Sequence, residues 1–489
     1  MKSLIESLLA IQPREILIPE GFDPTGDPIL DWLSAYLPGC TLTRWPEWHF
    51  ELESARQRLL AHFAMTTLDG FGVEHLKGAI GTAGALLEYL QQTQRQSLMH
   101  ITSLRSSGHQ RKLGLDASTH RALDLLEVTR TGERRGSLLG LLDKTRTAMG
   151  ARMLREWIQT PLADSAPIRS RQSAVSCLVR DKELRGQLRS ALAEVRDIER
   201  LASRLPMGRI HGRDLRALAR SLQALPELKS CLEGLEPQRL IELEKDLDGD
   251  LARSIAERIH DTIVEEPPLT LTEGGLIRDG FDPALDELRA VSRDGVSWMA
   301  AFEAEESAKT GIPNLKVGYN RVFGYYIEIT HTHSERIPET YIRKQTLKNA
   351  ERYITPELKE MEEKVLGSKE RADQLELEIF QQLREELLGH IKAFQTASAI
   401  IAEIDVFQSL AKVAAEEEWC APEIVEEPIL EIEEGFHPVV GAGAARSDFT
   451  PNDVSSGAGA TLSVITGPNM AGKSTYIRQT ALICILGQM

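Results

Sequence analysis

Residues 316–330 read Lys316-Val-Gly-Tyr-Asn-Arg-Val-Phe-Gly-Tyr-Tyr-Ile-Glu-Ile-Thr330, a stretch rich in β-branched and aromatic side chains. This composition favours strands, and Gly318 to Asn320 and Gly324 allow turns between them. Before it, a helix is expected to start at Asp282-Pro283, where the aspartate can cap and the proline can occupy the first turn, and to run to Thr310. The sequence therefore predicts a small sheet, over about residues 314–355, that interrupts long helices.

The helical pattern resumes after Pro356, and the next proline is Pro422. Apolar side chains keep a helical spacing through Leu358, Met361, Val365, Ala372, Leu375, Ile379, Leu383, Leu387, Ile391 and Phe394. Roughly 60 residues of helix at about 1.5 Å per residue would span on the order of 90 Å, which would place the sheet at the tip of a long stalk. An ordinary coiled-coil hairpin is the alternative, and periodicity alone does not decide between the two.

The rest of the chain divides by pattern. Residues 116–265 carry apolar side chains at three- and four-residue spacing almost throughout, which predicts an all-α domain. In residues 1–104, short apolar runs such as Glu15–Pro19 alternate with helical stretches, as in an α/β unit. The polar segment 105–112 follows neither period and is interpreted as a linker. With aromatic residues at 5% and charged residues at 27%, the predicted fold class is multidomain and mainly α.

Composition limits the function. The formal net charge is −16, so any contact with nucleic acid must be local rather than spread over the surface. Five cysteines lie far apart with no Cys-x-x-Cys pair, which predicts reduced, mostly buried thiols and neither a zinc site nor a disulfide framework. No run of eighteen apolar residues and no cleavable leader is present, so a cytoplasmic location without membrane contact is expected.

Near the C-terminal end, Thr461–Ile465 is predicted to be a buried strand, residues 467–474 read Gly-Pro-Asn-Met-Ala-Gly-Lys-Ser, and a helix opens at Thr475. Gly-x4-Gly-Lys-Ser between a strand and a helix is the phosphate-binding loop of nucleotide-binding proteins, in which backbone N–H groups and the helix N-terminus face the phosphates. Lys473 would bridge the β- and γ-phosphates, and Ser474 would ligate magnesium. ATP with Mg²⁺ is the predicted ligand.

No second apolar strand ending in aspartate follows this loop before Met489, so an incomplete ATPase domain is expected. The acidic run Leu430–Glu434 lies upstream. We interpret it as a strand edge rather than a displaced metal site. No residue is assigned a catalytic role.

A second signal is a cluster of cationic and amide side chains in residues 341–360 of this otherwise acidic chain; its members are Arg343, Lys344, Lys348, Asn349 and Arg352. Such a cluster suits contacts to the phosphate backbone of DNA, which position the duplex without reading its sequence. The alternative is a solvated helix face paired with Glu351 and Glu357.

Both segments, in this order, resemble the MutS family of DNA mismatch repair proteins. The resemblance rests on Ile465–Tyr476, Leu315–Asn320, Gly324–Ile327 and Gln345–Tyr353, with further matches at Leu142–Trp157, Asp197–Leu201 and Gly84–Gln94. It covers essentially the whole chain. By the resemblance, residues 1–104 are a partial connector domain, 116–296 and 357–420 the two parts of a lever, 297–356 a clamp, and 421–489 the start of an ABC-type ATPase domain ending after the phosphate-binding loop.

The resemblance also implies roles for residues. Phe449 matches the aromatic that packs on adenine, and His437 lies in the strand that leads into the ATPase domain. The implied nucleotide-binding residues are Gly467, Pro468, Asn469, Met470, Ala471, Gly472, Lys473, Ser474 and Thr475, with Phe449 and His437, and Ser474 as the metal ligand. The implied DNA-backbone contacts are Lys344, Lys348, Asn349 and Arg352, to which the charge cluster adds Arg343.

The implied function is ATP-dependent recognition of mismatched double-stranded DNA, with a homodimer that ATP converts into a sliding clamp and a MutL-type partner that it recruits. The mismatch-reading domain, the second ATPase motif and the dimer-forming helices have no counterpart in the sequence, so the chain is expected to be a fragment that does not hydrolyse ATP. A non-catalytic DNA-binding remnant is therefore an alternative. A relative acting on recombination structures or stalled ribosomes is less compatible with the clamp-like residues 315–360. An SMC-type ATPase would carry its phosphate-binding loop near the start of the chain.

Overall fold

The computed structural model describes residues 8, 11, 13–22, 33, 37, 39–71, 73–94, 98–104, 112–271, 273–320, 324–442, 448–457, 462–468 and 471–489. The chain forms two compact units. The first comprises Met1–Arg209, Arg220–Ser254 and Leu388–Met489, and the second comprises Ile210–Ala219 and Ile255–Leu387. The linker predicted at 105–112 lies outside the described residues except for Lys112.

Helices dominate both units. Their bounds are α1 (Leu52–Phe63), α2 (Lys77–Gln94), α3 (Ala117–Ala122), α4 (Leu138–Leu142), α5 (Ala148–Gln159), α6 (Ser165–Arg180), α7 (Lys182–Ala193), α8 (Ile198–Arg204), α9 (Gly212–Gln223), α10 (Leu225–Leu232), α11 (Gln238–Asp246), α12 (Gly249–Thr262), α13 (Pro283–Thr310), α14 (Pro356–Leu388), α15 (Ile391–Glu416) and α16 (Lys473–Gly487). The mainly helical, multidomain fold class is thus confirmed.

The strands form three small sheets. Their bounds are β1 (Glu15–Pro19), β2 (Thr41–Trp45), β3 (Lys316–Asn320), β4 (Gly324–Thr330), β5 (Ile342–Thr346), β6 (Ala350–Ile354), β7 (Leu430–Gly435) and β8 (Asn452–Ser456). β1 and β2 pair in parallel, β7 and β8 pair antiparallel, and the four middle strands form an antiparallel sheet in the order β3-β4-β6-β5. The strands predicted over 314–355 and the strand predicted at 430–434 are therefore present. The turn expected at Gly318 to Asn320 is wrong, because these residues lie in β3 and pair with β4.

The first unit is built around α15. This helix packs against α5, α6, α7 and α8, and its buried residues, among them Phe394, Ile401 and Phe407, lie on all its sides. A helix that is apolar all round belongs at the centre of a bundle. The plain coiled-coil hairpin that the sequence left open is therefore wrong for this part of the chain.

A buried carboxylate joins α15 to the start of α5. Asp405 has no exposed surface, and its oxygens accept hydrogen bonds from the backbone N–H of Arg146 (2.9 and 3.0 Å) and of Thr147 (2.8 Å) and from the Thr147 hydroxyl (2.7 Å). Burial raises the pKa of Asp405, while these donors oppose the rise. Gly150 faces the same carboxylate, since a Cβ added there would lie 2.3 Å from Asp405 Oδ2.

The second unit places the four-stranded sheet beside α13 and α14. One face of the sheet is apolar and packs with side chains of both helices; the cluster comprises Phe302, Ile312, Leu315, Ile327, Ile329, Tyr341, Tyr353 and Leu358. The helix predicted from Asp282 is confirmed, because α13 begins at Pro283 and the Asp282 side chain accepts from the N–H groups of Ala284 and Leu285.

Carboxylates of the two long helices also fix the sheet. Glu303 of α13 accepts a hydrogen bond from the Val317 N–H of β3 at 2.7 Å. Glu362 of α14 accepts one from the Tyr325 N–H of β4 at 2.8 Å. Each bond satisfies a backbone donor that the strand pairing leaves free, so the sheet is attached at defined positions along both helices.

The cysteine prediction is half right. All five thiols are free of disulfide bonds, but Cys420 is exposed and the other four are only partly buried. A cysteine side chain is small, so its burial depends on neighbours that its own sequence position does not reveal. No helix in the described part of the chain is both long and apolar enough to span a bilayer.

The packing around Asp405 predicts that Gly150→Ala lowers the free energy of unfolding of the first unit by about 1–3 kcal/mol, because the added methyl group overlaps a buried charge that has no room to move. Gly186→Ala in α7 is the matched control, since nothing lies within 4 Å of its Cβ position, and it should be neutral or stabilise by about 0.5–1 kcal/mol. Urea unfolding followed by circular dichroism measures both. Equal midpoints for the two variants would contradict this account of Gly150.

Candidate functional site

The glycine-rich loop leads directly into α16. Gly472 has a φ of 85° and is the N-cap residue, so no side chain caps the first turn of this 15-residue helix. Glycine adopts this left-handed conformation without steric cost. Uncapped N–H groups at the positive end of a helix are suited to an anion. Asn469 and Met470 lie outside the described residues.

Lys473 bends back into the loop. Its ammonium group donates hydrogen bonds to the carbonyl oxygens of Gly467 and Pro468, so the cation is held inside the turn that precedes the helix. Ser474 and Ala471 are exposed, and Thr475 is half-buried. The described part of the loop thus has the donor set that a phosphate group requires: uncapped backbone N–H groups, a lysine and an accessible hydroxyl.

The β7–β8 pair contacts α16. The Tyr476 hydroxyl donates to the Asp453 carbonyl oxygen at 3.0 Å, and a Cβ at Gly435 would lie 2.7 Å from Gln479 Nε2. Gly435 therefore leaves room for the Gln479 side chain of α16 against β7. Leu430–Glu434 lies in β7, and in the described ranges no group of three or more His, Cys, Asp or Glu side chains could hold a metal ion.

The strand predicted at 461–465 is wrong. Residues 462–468 have no regular secondary structure, and Leu462 and Val464 are 83% and 81% exposed. The physical reason is pairing: an extended apolar segment becomes a strand when a neighbouring strand takes up its backbone groups, and no strand in the described ranges pairs with it. Thr461 lies outside those ranges.

His437 and Phe449 lie on the connections around β7 and β8. His437 is buried, its Nδ1 accepts from the N–H groups of Val439 and Val440 at 3.3 and 3.2 Å, and its pKa is lowered by burial and by the nearby charge of Arg478. Phe449 is half-buried and lies 5.6 Å from Phe436, ring centre to ring centre. The structure thus brings His437 near α16 and places Phe449 beside a second aromatic ring.

The second candidate site is the hairpin formed by β5, β6 and their turn, called here the basic hairpin (342–354). Lys348 and Asn349 are exposed in the turn, which the hydrogen bond from Leu347 N–H to Ala350 O closes at 2.8 Å. Lys344 is also exposed and occupies a β-bulge, where the pairing register shifts between Arg343 and Gln345. A bulge leaves one residue without a cross-strand partner and re-aims its side chain.

The two arginines of the cluster are placed differently. Arg343 is exposed but pairs with Glu351 across the hairpin at 3.1 Å. The Arg352 side chain is 17% exposed, pairs with Glu328 of β4 at 3.0 Å and lies 4.1 Å from the Tyr326 ring centre. Lys344 and Lys348 have no such carboxylate partner among the residues that the structure describes.

Sequence reasoning missed Glu328 and Tyr326 as the partners of Arg352. Once the strands are recognised, the antiparallel register supplies the signal, because Glu328 stands directly opposite Arg352. The alternative of a solvated helix face is wrong, since residues 342–354 form strands, although Arg343 does pair with Glu351. In the closed hairpin Arg343 stands opposite Tyr353 and reaches Glu351 on the neighbouring strand diagonally.

The fold and these sites define a multidomain, mainly helical protein with a small sheet between two long helices. Three family models match the chain: MutS domain II over residues 1–102, MutS domain III over 118–411 and MutS domain V over 463–489. The chain therefore belongs to the MutS family, which confirms the resemblance read from the sequence.

The chain is similar to curated proteins named DNA mismatch repair protein MutS. It is 42% identical to the one from Symbiobacterium thermophilum, covering 100% of this chain and 55% of that protein, and 42% identical to the one from Rhodopirellula baltica, covering 99% and 54%. It is 44% identical to the one from Ruminiclostridium cellulolyticum, covering 91% and 50%. The chain spans about half the length of the curated relatives it matches.

The buried, neutral His437 predicts a pH dependence. Its folded pKa lies below the ordinary value, so on acidification the unfolded state takes up a proton first. The contribution of His437 to the free energy of unfolding is therefore fully present above about pH 6.5. It is lost as the pH falls through the folded pKa, by at most about 1.4 kcal/mol per pH unit.

The variant His437→Asn keeps a side-chain acceptor for the two N–H groups and removes the titration. Its urea midpoint should fall less between pH 7.5 and pH 5.5 than that of the unchanged chain. The other histidines contribute equally to the variant and to the unchanged chain. If the urea midpoints of the two proteins fell in parallel with pH, His437 would not be the titrating group.

Proposed function

We propose that this protein takes part in ATP-dependent recognition of mismatched double-stranded DNA and in the initiation of mismatch repair. The observation that carries the proposal is the basic hairpin, whose exposed Lys344 and Lys348 stand out from a chain of net charge −16. The family membership supports it, since the relatives above are named as DNA mismatch repair proteins. The cytoplasm is the proposed location.

In this proposal the hairpin grips the DNA backbone. Lys344, Lys348 and Asn349 would contact phosphates directly, because all three are exposed and a lysine without a carboxylate partner gains most from a phosphate. Arg343 would join them by exchanging Glu351 for a phosphate. The enclosed Arg352 would chiefly hold β4 and β6 together, through Glu328 and the Tyr326 ring, and so present the lysines.

The loop from Gly467 to Thr475 would bind ATP with Mg²⁺. The backbone N–H groups of Gly467, Asn469, Met470, Ala471 and Gly472 and the Lys473 ammonium would donate to the phosphates, and Pro468, which has no N–H, would stiffen the turn. Ser474 would ligate magnesium, and Phe449 would pack on adenine with His437 ordering the adjoining turn. Bound ATP would supply the free-energy difference between two arrangements of the protein.

At the level of the whole protein, we propose a homodimer whose lever, residues 116–296 and 357–420, transmits nucleotide binding to the clamp, residues 297–356. The connector would be residues 1–104, and the ATPase start residues 421–489. ATP would convert the DNA-bound state into a sliding clamp that recruits a MutL-type partner. Nucleotide-dependent release of an end-blocked mismatched duplex by the full-length protein tests this mechanism, and release that ignores ATP would refute it.

A second candidate is DNA binding without nucleotide turnover. The unpaired and exposed Leu462 and Val464 favour it for the chain as given, because the phosphate-binding loop then lacks the ordered strand on its N-terminal side. Salt-sensitive duplex binding by the chain, without release of phosphate from ATP, would select this candidate.

The double variant Lys344→Glu with Lys348→Glu should weaken duplex binding and flatten its salt dependence. Each lost phosphate contact reduces the slope of log K against log salt by about 0.9, so a decrease of about 2 is expected. Fluorescence anisotropy of a labelled duplex across a salt series measures both. Lys245→Glu with Arg253→Glu, two exposed residues outside the hairpin, changes the net charge equally and should alter the slope little. If the two double variants changed the slope equally, the basic hairpin would not be a DNA-binding site.

Mg·ATP should bind the chain saturably, and Lys473→Ala should weaken this binding at least tenfold, since a charge-assisted hydrogen bond contributes about 1.5–3 kcal/mol. Lys182→Ala, at an exposed position in α7, is the control and should bind as the unchanged chain does. Anisotropy of a fluorescent ATP analogue measures the affinities. Unaltered binding by Lys473→Ala would show that the loop does not hold the phosphates.

A further inference from the structure

A cavity outside both candidate sites lies in the first unit, next to the start of α5. Its volume is about 520 Å³, and three arginines, Arg134, Arg135 and Arg146, are among the residues that line it. Neither the DNA-binding nor the nucleotide-binding proposal uses any of these side chains.

The cavity carries an excess of positive charge. Arg134 pairs with Asp143, which leaves Arg135 and Arg146 exposed and without a carboxylate partner in the described ranges. The positive charge of Arg146 also acts on the neighbouring Arg189, whose pKa is lowered first by burial and next by repulsion from Arg146. In a chain of net charge −16, two unneutralised guanidinium groups on one cavity are an arrangement that requires an explanation.

The wall that carries Arg134 and Arg135 is rigid. The Arg134 carbonyl oxygen accepts hydrogen bonds from the N–H and the hydroxyl of Ser137, at 3.1 and 2.7 Å. Gly140 lets this backbone pack closely on α4, since a Cβ there would lie 2.1 Å from Arg134 O. The two arginines are therefore fixed at their backbone before any ligand arrives.

Two carboxylates fix the backbone of the lining residues Thr145 and Arg146. The Arg146 N–H donates to both oxygens of the buried Asp405, and the N–H and hydroxyl of Thr145 donate to Asp143 Oδ1 at 3.0 and 2.5 Å. Fixed walls lower the ordering cost of binding, which is what a built site requires.

We propose that this cavity binds a small phosphate-bearing anion. Guanidinium groups form paired hydrogen bonds with phosphate oxygens, and about 520 Å³ is the size of a small-molecule site. Proteins that bind the backbone of a DNA duplex present cations along an extended surface. Here the lining cations are three arginines within thirteen positions of the chain, so a duplex is excluded as the ligand.

The test is isothermal titration of pyrophosphate into the full chain carrying Lys473→Ala, which removes the lysine of the phosphate-binding loop. Saturable one-site binding is expected. Adding Arg135→Glu with Arg146→Glu should weaken it at least tenfold, whereas adding Lys245→Glu with Arg253→Glu should change it less than twofold. Arg135→Gln with Arg146→Gln, a smaller change, should weaken binding at least threefold and serves if the first pair unfolds the chain, as judged by circular dichroism.

A parallel titration with ADP distinguishes the source of the phosphate. Tighter binding of ADP than of pyrophosphate, if Arg135→Glu with Arg146→Glu weakens it at least tenfold, identifies a nucleotide as the ligand of the cavity, and equal affinities identify the phosphate groups alone. Absence of saturable binding, or equal weakening by the two charge-reversal pairs, would overturn the proposal. Weakening by the Arg135 and Arg146 variants but not by the control pair assigns the binding to this cavity, whether or not the phosphate-binding loop holds ATP.

Discussion

The first unit depends on one buried charge. Asp405, at the centre of α15, has no exposed surface and no arginine or lysine bonded to it among the described residues, so its desolvation must be offset by hydrogen bonds. The N-terminus of α5 supplies them, through the N–H groups of Arg146 and Thr147, the Thr147 hydroxyl and the positive end of the helix dipole. Gln408 adds a fourth donor from α15 itself at 2.6 Å. This interaction joins residues 258 positions apart and also fixes the backbone of one wall of the arginine-lined cavity.

Carboxylates also accept hydrogen bonds from backbone donors in the second unit. Glu303 and Glu362 attach strands to α13 and α14, and the buried Glu376 accepts from Leu276 N–H at 2.6 Å while it pairs with Arg289 at 2.8 Å. Part of the acidic excess of this chain thus serves as an internal acceptor for backbone donors rather than as surface charge. Arg343, Lys344 and Lys348 of the basic hairpin stay exposed on a sheet that these carboxylates attach to two long helices, and this arrangement supports the proposed contacts to phosphates.

Local chemistry explains which elements could be predicted. The Asp282 cap, the strand composition of residues 316–330 and the apolar period after Pro356 are properties of short stretches, and the structure has each of them. The strand at 461–465 failed because a strand requires a partner, and partners are set by distant residues. The solvated-helix alternative for Arg343 and Arg352 failed for the same reason, since Glu351 and Glu328 come within ion-pair distance on neighbouring strands of the folded sheet.

The sequence by itself determined the family, through the resemblance of its motifs, together with the helical class and the residue types of the phosphate-binding loop, because periodicity, capping and motif spacing act within about twenty positions. Only the tertiary structure decided that Arg352 is enclosed by Glu328 and Tyr326 while Lys344 and Lys348 stay exposed. It alone brought Asp405 to the start of α5 and gathered three arginines around one cavity. Burial and charge neutralisation depend on neighbours in space. When those neighbours are far apart in the chain, no local sequence pattern indicates them.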